Sequence, residues 1–469
     1  MKRLVFCFDG SWNRIDAAHP TNVLFTAQSV LPQTRDGISQ VIYYDEGVGT
    51  GDNDKFRGGL FGQGLVKNLS DAYRFLIFNH TPGDEIYVFG FSRGAFTARS
   101  FAGLIGTCGI LQRPSAGRSN EAVELYKTRD DTDAFRQKLL EFRRDVAPHI
   151  SVSDAEDQWR AANVPDYQLG QSPLLKITYL GVWDTVGALG VPDYIWNADG
   201  FNKDHRFHDT NLSPMVKSAR HAVAIDESKA DFKPTLWENL EELNADRGKD
   251  PKAEDAPYQQ KWFPGVHGGV GGGGPRRGLS DQALEWIWDG AGNAGLVLDS
   301  SKGSPIYGLS PSHLEYLENS GEEEGFSIIG TLMKYMPKTV RQPGPQALHE
   351  VSVSAQRRWH ENEDKLPEKS RYRPKPLEHV QADLDGLDVV ALGMGEDGIE
   401  LAPENFTAHI VEPGDTLSRL AKRYLGDAKR WPEIASANRY KITNPDLIYV
   451  GQALRIPLSA TGPEPVDCR

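Results

Sequence analysis

Glu85-Ile86-Tyr87-Val88-Phe89-Gly90-Phe91-Ser92-Arg93-Gly94-Ala95-Phe96-Thr97-Ala98-Arg99 is the stretch that decides how this chain is read. Glu85 to Phe91 is a short apolar, aromatic-rich run of the kind that forms a buried strand, and a helix is expected from about Ala95. Between them, Gly90-Phe91-Ser92-Arg93-Gly94 matches G-x-S-x-G. The bare pattern arises readily by chance, but here it stands at a strand-to-helix turn, the setting of a nucleophile elbow. A sharp turn there lifts the Ser92 hydroxyl above the sheet, and glycines on both sides let neighbouring backbone pass without a Cβ clash. The next amide, Arg93 N–H, then lies at a helix N-terminus and is a candidate oxyanion donor. The plain structural alternative is a Gly/Ser helix cap with no chemistry.

Outward from this stretch the pattern alternates. Leu4 to Phe8 and Gln40 to Tyr44 read as buried strands, and about Gly64 to Asn79 carries the helical spacing Leu65, Leu69, Tyr73, Leu76, Ile77. Leu174 to Trp183 is another apolar run, and Gln259 to Phe263 a shorter strand before a glycine cluster. Strands separated by helices imply an α/β fold with a mostly parallel sheet covered on both faces. The catalytic core is expected over 1–295, with insertions near 115–170 and 195–258. An accessory segment over 296–400 ends in a linker, because 361–379 is rich in charge and proline and 395–405 is acidic and contains glycine. A separate unit spans 407–457, followed by a tail, 458–469. No internal repeat is evident.

A serine nucleophile needs a base, and the base an orienting acid. Asp184 in Trp183-Asp184-Thr185 stands just past a strand, at the carboxyl edge where open α/β sheets gather their sites. His267 follows the Lys261-Trp262-Phe263 strand, and the run Gly271 to Gly274 beside it reads as room for close backbone approach to substrate. The chain order Ser92, Asp184, His267 is that of α/β hydrolases. Asp9-Gly10-Ser11 ends the first strand: Asp9 is read as capping the loop or orienting water, and Gly10 or Ser11 as a second oxyanion N–H. A rival base and acid lie in His221-Ala222-Val223-Ala224-Ile225-Asp226-Glu227, which reads as one helix and makes His221 a packing or substrate-contact residue. Each of these residues also has a structural reading, Asp184 as a cap and His267 as a packed loop histidine.

Composition limits the alternatives. The chain has 469 residues, with 52 Lys and Arg against 65 Asp and Glu, a formal charge of −13. The length is ample for a large core, and the charge argues against nucleic acid as a partner. Only Cys7, Cys108 and Cys468 occur, with no CxxC spacing, so neither a disulfide framework nor a thiolate metal site is expected, and no cofactor is implied. The best uncharged run, Ser100 to Gln112, is too short to span a bilayer, so only peripheral membrane contact is expected. The N-terminus passes at once into a strand and lacks the pattern of a signal peptide, which points to synthesis in the cytoplasm.

With these residues in view, the chain resembles a bacterial and fungal α/β-hydrolase family that includes phospholipase effectors delivered by type VI secretion. The likeness spans about 1–295 and rests on Phe8-Asp9-Gly10-Ser11-Trp12-Asn13, Gly90 to Ala95, Gly181-Val182-Trp183-Asp184-Thr185-Val186-Gly187, His221 to Glu227, and Gly265-Val266-His267 with Val270-Gly271-Gly272-Gly273. The resemblance implies Ser92 as nucleophile, Asp184 as acid and His267 as base in hydrolysis of a phospholipid or other acyl ester. It also implies export by a type VI-like machine into a target cell's periplasm, with secretion-machine and immunity proteins as partners. One departure stands out: the family commonly carries Ser-Asp after the histidine, where this chain has Gly268-Gly269.

At the C-terminus, Thr407-Ala408-His409-Ile410-Val411-Glu412-Pro413-Gly414-Asp415-Thr416-Leu417 opens a compact unit that Gly451-Gln452-Ala453-Leu454-Arg455-Ile456-Pro457 closes. Asp415 or Thr416 caps a helix carrying Leu417, Leu420, Ala421 and Tyr424, and Trp431-Pro432-Glu433-Ile434 starts a second, giving β-α-α-β. The unit resembles a LysM module through Gly414-Asp415-Thr416, Asn438, Asn444-Pro445-Asp446 and Gly451-Gln452. That resemblance implies binding of peptidoglycan or another N-acetylglucosamine glycan. Eight Lys and Arg against five Asp and Glu make the unit basic within an acidic chain, which suits an anionic wall. A docking role for the module, a wall-linked esterase, and a non-catalytic wall-binding or secretion-apparatus protein on a degenerate hydrolase scaffold are the alternatives.

Overall fold

The computed structural model describes residues 1–10, 13–34, 36–47, 60–187, 210–299, 301, 303–319, 339–341, 343–388, 392, 406–438, 442, 445–448, 450 and 452–458. The main sheet has six strands, β1 (Arg3–Phe8), β2 (Gln40–Asp45), β3 (Glu85–Phe91), β4 (Tyr179–Trp183), β5 (Ala219–Ala224) and β6 (Tyr258–Phe263), in the order β2-β1-β3-β4-β5-β6. The pairs β1·β2, β1·β3 and β3·β4 are all parallel. The chain goes from β1 to β2 on one side and then crosses to β3 on the other, so the order reverses between β1 and β3. Ligands of open α/β sheets gather at the carboxyl ends of strands flanking such a switch point.

Among the described residues the helices are α1 (Asn22–Ser29), α2 (Leu60–Asn79), α3 (Arg93–Cys108), α4 (Ser119–Lys127), α5 (Asp133–Val146), α6 (Asp154–Asn163), α7 (Leu240–Asp246), α8 (His267–Gly271), α9 (Gly278–Asn293), α10 (Val353–His360), α11 (Gln381–Asp385), α12 (Leu417–Leu425) and α13 (Trp431–Ala437). The chain divides into two compact units. The first comprises Met1–Ala17, Pro32–Arg220 and Lys233–Gln259, the second Ala18–Leu31, His221–Phe232 and Gln260–Arg469.

In the first unit every residue of β1 is buried, as a strand covered on both faces requires. Phe6 anchors an aromatic cluster with Phe101 of α3 at 4.6 Å between ring centres and with Phe75 of α2 edge-on at 5.8 Å. Segment 115–170 folds into α4 to α6, with Thr132 and Ser153 capping the last two through their side chains. Glu156 is buried there between Arg143 at 3.0 Å and Arg160 at 2.6 Å.

Three features differ from expectation. Residues Ala219 to Ala224, read as the start of a helix, form β5 with all six residues buried. A short apolar run fits either state, and sheet pairing, a long-range event, decides it. This core strand lies inside the stretch 195–258 expected as an insertion. Strand β4 is also shorter than Leu174 to Trp183, because Leu175 N–H bonds Ser151 O at 2.8 Å and leaves the sheet ladder.

In the second unit the accessory segment returns to β6: Val351 bridges Trp262 in parallel, and Ser352 N–H donates to Trp262 O at 2.9 Å. The C-terminal β-α-α-β unit pairs β7 (Phe406–Ile410) antiparallel to β8 (Ala453–Pro457) around Leu417, Leu420, Ile434, Leu454 and Ile456. It joins the rest of its unit through the Arg455 guanidinium on Leu309 O and Ala453 N–H toward Asp289 Oδ1. Among the described residues no single helix is long and apolar enough to cross a membrane.

Candidate active site

Ser92 follows β3 and opens α3 with φ 58° and ψ −125°, a backbone conformation that non-glycine residues avoid. It stands at the N-cap position, yet its side chain makes no capping hydrogen bond to the helix. A cap therefore does not explain this serine. A Cβ on Gly90 would sit 2.5 Å from Gly94 O, and one on Gly94 would overlap the carbonyl oxygens of Phe8 and Asp9. Both glycines thus let β3, α3 and the end of β1 close on each other. Arg93, the first residue of α3, is half-buried with its Nε enclosed, and burial lowers its pKa to about 10.

The sheet register brings Asp184 to the same edge. Phe91 pairs with Trp183, so Ser92 and Asp184 are the residues next beyond that pair on adjacent parallel strands. Ser92 N–H donates to Trp183 O at 3.0 Å, and Val186 N–H reaches Ser92 O at 3.4 Å. Asp184 is fully buried and also has positive φ, 37°, a second strained non-glycine residue one strand away. Thr235 N–H on Thr185 O at 2.9 Å secures the loop after it.

Asp9 lies past β1, on the other flank of β3. Its Oδ1 accepts from Gly10 N–H at 2.7 Å and Asn13 Nδ2 at 3.2 Å, and its Oδ2 from the Tyr44 hydroxyl at 2.9 Å. This corrects the reading of Gly10 as an oxyanion donor, since its amide is held by a carboxylate. Ser11 lies outside the described residues. Asp9 is a loop-shaping residue here. Burial, helped by the Asp9 charge, pushes the Cys7 thiol far up, so that this cysteine is no nucleophile.

His267, in the second unit, is the first residue of α8. Its N–H bonds Glu227 Oε2 at 3.2 Å, and its ring meets Phe232 edge-on at 4.7 Å. Within the run Gly271 to Gly274, Gly272 and Gly274 admit the chain's own backbone at Asn22 and Asn319, which accounts for these two without substrate. A Cβ on Gly268 would lie 2.5 Å from the Asn319 side chain, one on Gly269 2.8 Å from Leu317 O, and one on Gly272 2.9 Å from Asn22 N. The Gly268-Gly269 departure thus accompanies a strap at 317–319 that leaves no space for larger residues. His221 is fully buried in β5, with Nδ1 2.9 Å from Gln260 Oε1.

A groove of about 510 Å³ between Gly106, Arg129, Lys176, Ser213 and Met215 contains none of these residues, so volume alone does not mark the site. Among the described residues no group of three or more His, Cys, Asp or Glu is arranged to hold a metal.

Residues 2–290 match the family model of type VI secretion phospholipase effectors, Tle1-like, catalytic domain, over more than half of the chain. The chain belongs to the Tle1-like phospholipase effector family. Among relatives of this Tle1-like chain, the uncharacterized protein YEL023C of Saccharomyces cerevisiae is 27% identical over 249 residues, 50% of this chain and 32% of its own length. Esterase Rv1288 of Mycobacterium tuberculosis is 41% identical over 80 residues, 16% of this chain and 17% of the esterase. The Tle1-like chain therefore spans about a third or less of the length of these curated relatives. The solved Tle1 effector bound to the VgrG spike of a type VI secretion system is 16% identical, with TM-score 0.28 over 58% of this chain and 51% of that one. That likeness adds nothing to the family assignment.

The Tle1-like chain also carries a LysM domain, matched over residues 409–457. Thr416 caps α12 by accepting Arg419 N–H at 3.2 Å, after Gly414 at φ 90° turns the chain. Asp415 Oδ2 bonds His409 Nε2 at 2.7 Å and Glu412 N–H at 2.8 Å. Asn438 is fully buried: Nδ2 donates to Ile434 O and Arg455 O, and Oδ1 accepts from Arg455 N–H at 2.7 Å. Its amide locks α13 to β8. Pro445 and Asp446 lie in a turn, and Asn444 is outside the described residues.

Proposed function

We propose that this chain hydrolyses acyl esters, phospholipids foremost, through Ser92, Asp184 and His267. The strained Ser92 carries this reading, because a non-glycine residue held in that conformation between a strand and a helix, with close-packed glycines on both sides, is the geometry of a nucleophile elbow. His267 takes the Ser92 proton as Oγ attacks the acyl carbonyl, and Asp184 stabilises the imidazolium that results. Backbone N–H groups, Arg93 among them and Ser11 as the second donor, hold the tetrahedral oxyanion. Collapse expels the alcohol with the proton from His267. Water then attacks the acyl-enzyme by the same route and releases the fatty acid.

The LysM domain binds peptidoglycan or a similar N-acetylglucosamine glycan in this reading, and holds the catalyst where wall and membrane lie close together. Family membership supports export by a type VI machine into a target periplasm. A producing cell then needs an immunity partner. The LysM domain also favours a second reading, a wall-linked ester as substrate.

Purified wild type and Ser92→Ala are to be compared on phospholipid vesicles, short acyl esters and acetylated peptidoglycan. Fatty acid release by wild type alone supports the first reading, and acetate release the second. Equal rates for the two proteins, or no rate on any substrate, favour a non-catalytic protein. Sedimentation with purified peptidoglycan is expected to be lost on removing 400–469, and unchanged sedimentation refutes the LysM domain as wall anchor.

A further inference from the structure

The loop that carries His267 has each of its three successive amides assigned to a separate acceptor. Gly265 N–H donates to Asp226 Oδ2 at 2.7 Å, Val266 N–H to Leu317 O at 3.0 Å, and His267 N–H to Glu227 Oε2 at 3.2 Å. Asp226 N–H also returns a bond to Gly265 O at 3.1 Å, so the aspartate grips the loop at both polar groups of one residue. Two of the three acceptors are adjacent carboxylates, Glu227 buried and Asp226 half-buried.

The clamp continues into the accessory segment. The Tyr372 hydroxyl donates to Asp226 Oδ2 at 2.8 Å. Arg358, wholly buried, stacks over the Tyr372 ring, binds Glu368 at 2.6 Å and donates to the carbonyls of His313 and Glu315. Glu368 in turn accepts from Leu317 N–H at 3.3 Å, on the same strap residue whose carbonyl holds Val266. Arg358 therefore ties together two of the three loop anchors, although it and Tyr372 lie beyond the matched catalytic domain.

We propose that Asp226, Glu227 and Tyr372 are positioning residues for His267, so that segment 339–388 completes the catalytic machinery. This rests on His267 being the base. Enclosing carboxylates against backbone amides is costly where a carbonyl would serve. Side-chain acceptors just past β5 hold the loop at the backbone of His267 and of Gly265, and sub-ångström placement of a base governs rate. Around Asp226, burial raises the pKa to about 6, Gly265 N–H, the Tyr372 hydroxyl and Arg358 lower it, and Glu368 raises it. Ionised Asp226 grips the loop, and its protonation loosens the grip.

The test uses the full chain on phospholipid vesicles and a short acyl ester, with Tyr372→Phe, Glu227→Gln and Glu227→Ala beside Ser92→Ala and His267→Ala. Tyr372→Phe removes one oxygen and is expected to fold with wild-type circular dichroism. Its kcat is expected to fall about 10-fold or more with KM unchanged. Its acid limb of kcat is expected to move to higher pH, because Asp226 without the hydroxyl keeps its proton longer. Glu227→Gln, which retains an acceptor for His267 N–H, is expected to recover most of the rate that Glu227→Ala loses. Wild-type kcat and pH profile in Tyr372→Phe overturn the proposal, and that variant decides alone should Glu227→Ala not fold. Full activity in Ser92→Ala or His267→Ala instead refutes the hydrolase reading and is told apart by those variants.

Discussion

Ser92 N–H donates to the carbonyl of Trp183, the residue before Asp184, at 3.0 Å. This one bond ties the end of β3 to the end of β4 just where both chains leave the sheet in strained conformations. It continues the parallel ladder one step past the Phe91·Trp183 pair, so the positions of the serine and the aspartate are set by backbone register.

Strain at Ser92 predicts opposite effects on stability and activity. Ser92→Gly relieves a conformation that glycine adopts freely and is expected to stabilise the fold by about 1–2 kcal/mol while abolishing hydrolysis. Ser92→Ala is expected to leave stability near wild type. Urea denaturation of the three proteins checks this, and equal midpoints for Gly and Ala contradict it.

Gly94→Ala places a methyl group on the carbonyls of Phe8 and Asp9. Backbone cannot yield there without opening β1 from α3, so a loss of about 3 kcal/mol or more, or an insoluble product, is expected. Gly117→Ala, with nothing within 4 Å of the added Cβ, serves as control and is expected to change the thermal midpoint little.

Asp281 gives stability a pH dependence. Burial pushes its pKa up to about 6 despite Arg277 at 2.8 Å and Ser310 N–H at 2.7 Å. The folded carboxyl keeps its proton to higher pH than an unfolded aspartate, so its stabilising contribution is full below about pH 4 and is lost as pH rises through about 6. Asp281→Asn is expected to gain on wild type across that window, by at most about 3 kcal/mol. Denaturation curves at several pH values check the difference, and a constant offset contradicts it.

Asn438→Ala removes both polar groups that join α13 to β8 inside the LysM core. A loss of about 3 kcal/mol in the stability of the module is expected, against about 1 kcal/mol for removing the Thr416 cap. A separate low-temperature transition in calorimetry of Asn438→Ala, with reduced sedimentation on peptidoglycan, is the expected sign.

Cys7 and Cys108 are buried, and burial holds both thiols in the protonated form, Cys108 pushed up to about 12. Neither is expected to react with a thiol reagent in the native protein. Labelling at these two positions should appear only with unfolding, and rapid modification of Cys7 in native protein contradicts the site as described.

Much of the fold was legible because its signals are local. A buried strand, a glycine-flanked turn and a helix occupy fifteen consecutive residues from Glu85 to Arg99, and turn sterics act within that span. Residues 219–224 misled for the converse reason, since six buried residues carry too little periodicity to separate strand from helix. Gly10 misled because its amide has a specific acceptor in the Asp9 side chain, a choice among local bonds that periodicity does not encode.

The sequence by itself determined the α/β class, the elbow at Ser92 and the LysM domain, which depend on residues close together along the chain, and it placed Ser92, Asp184 and His267 each just after a strand signal that is itself local. Only the tertiary structure decided which carbonyl holds Ser92, that the glycines beside His267 admit Leu317, Asn319 and Asn22, and that Tyr372 reaches Asp226 from 146 residues away. Those partners are selected by burial: once the core closes, each enclosed amide and carboxylate must bond to whatever polar group packing has brought beside it.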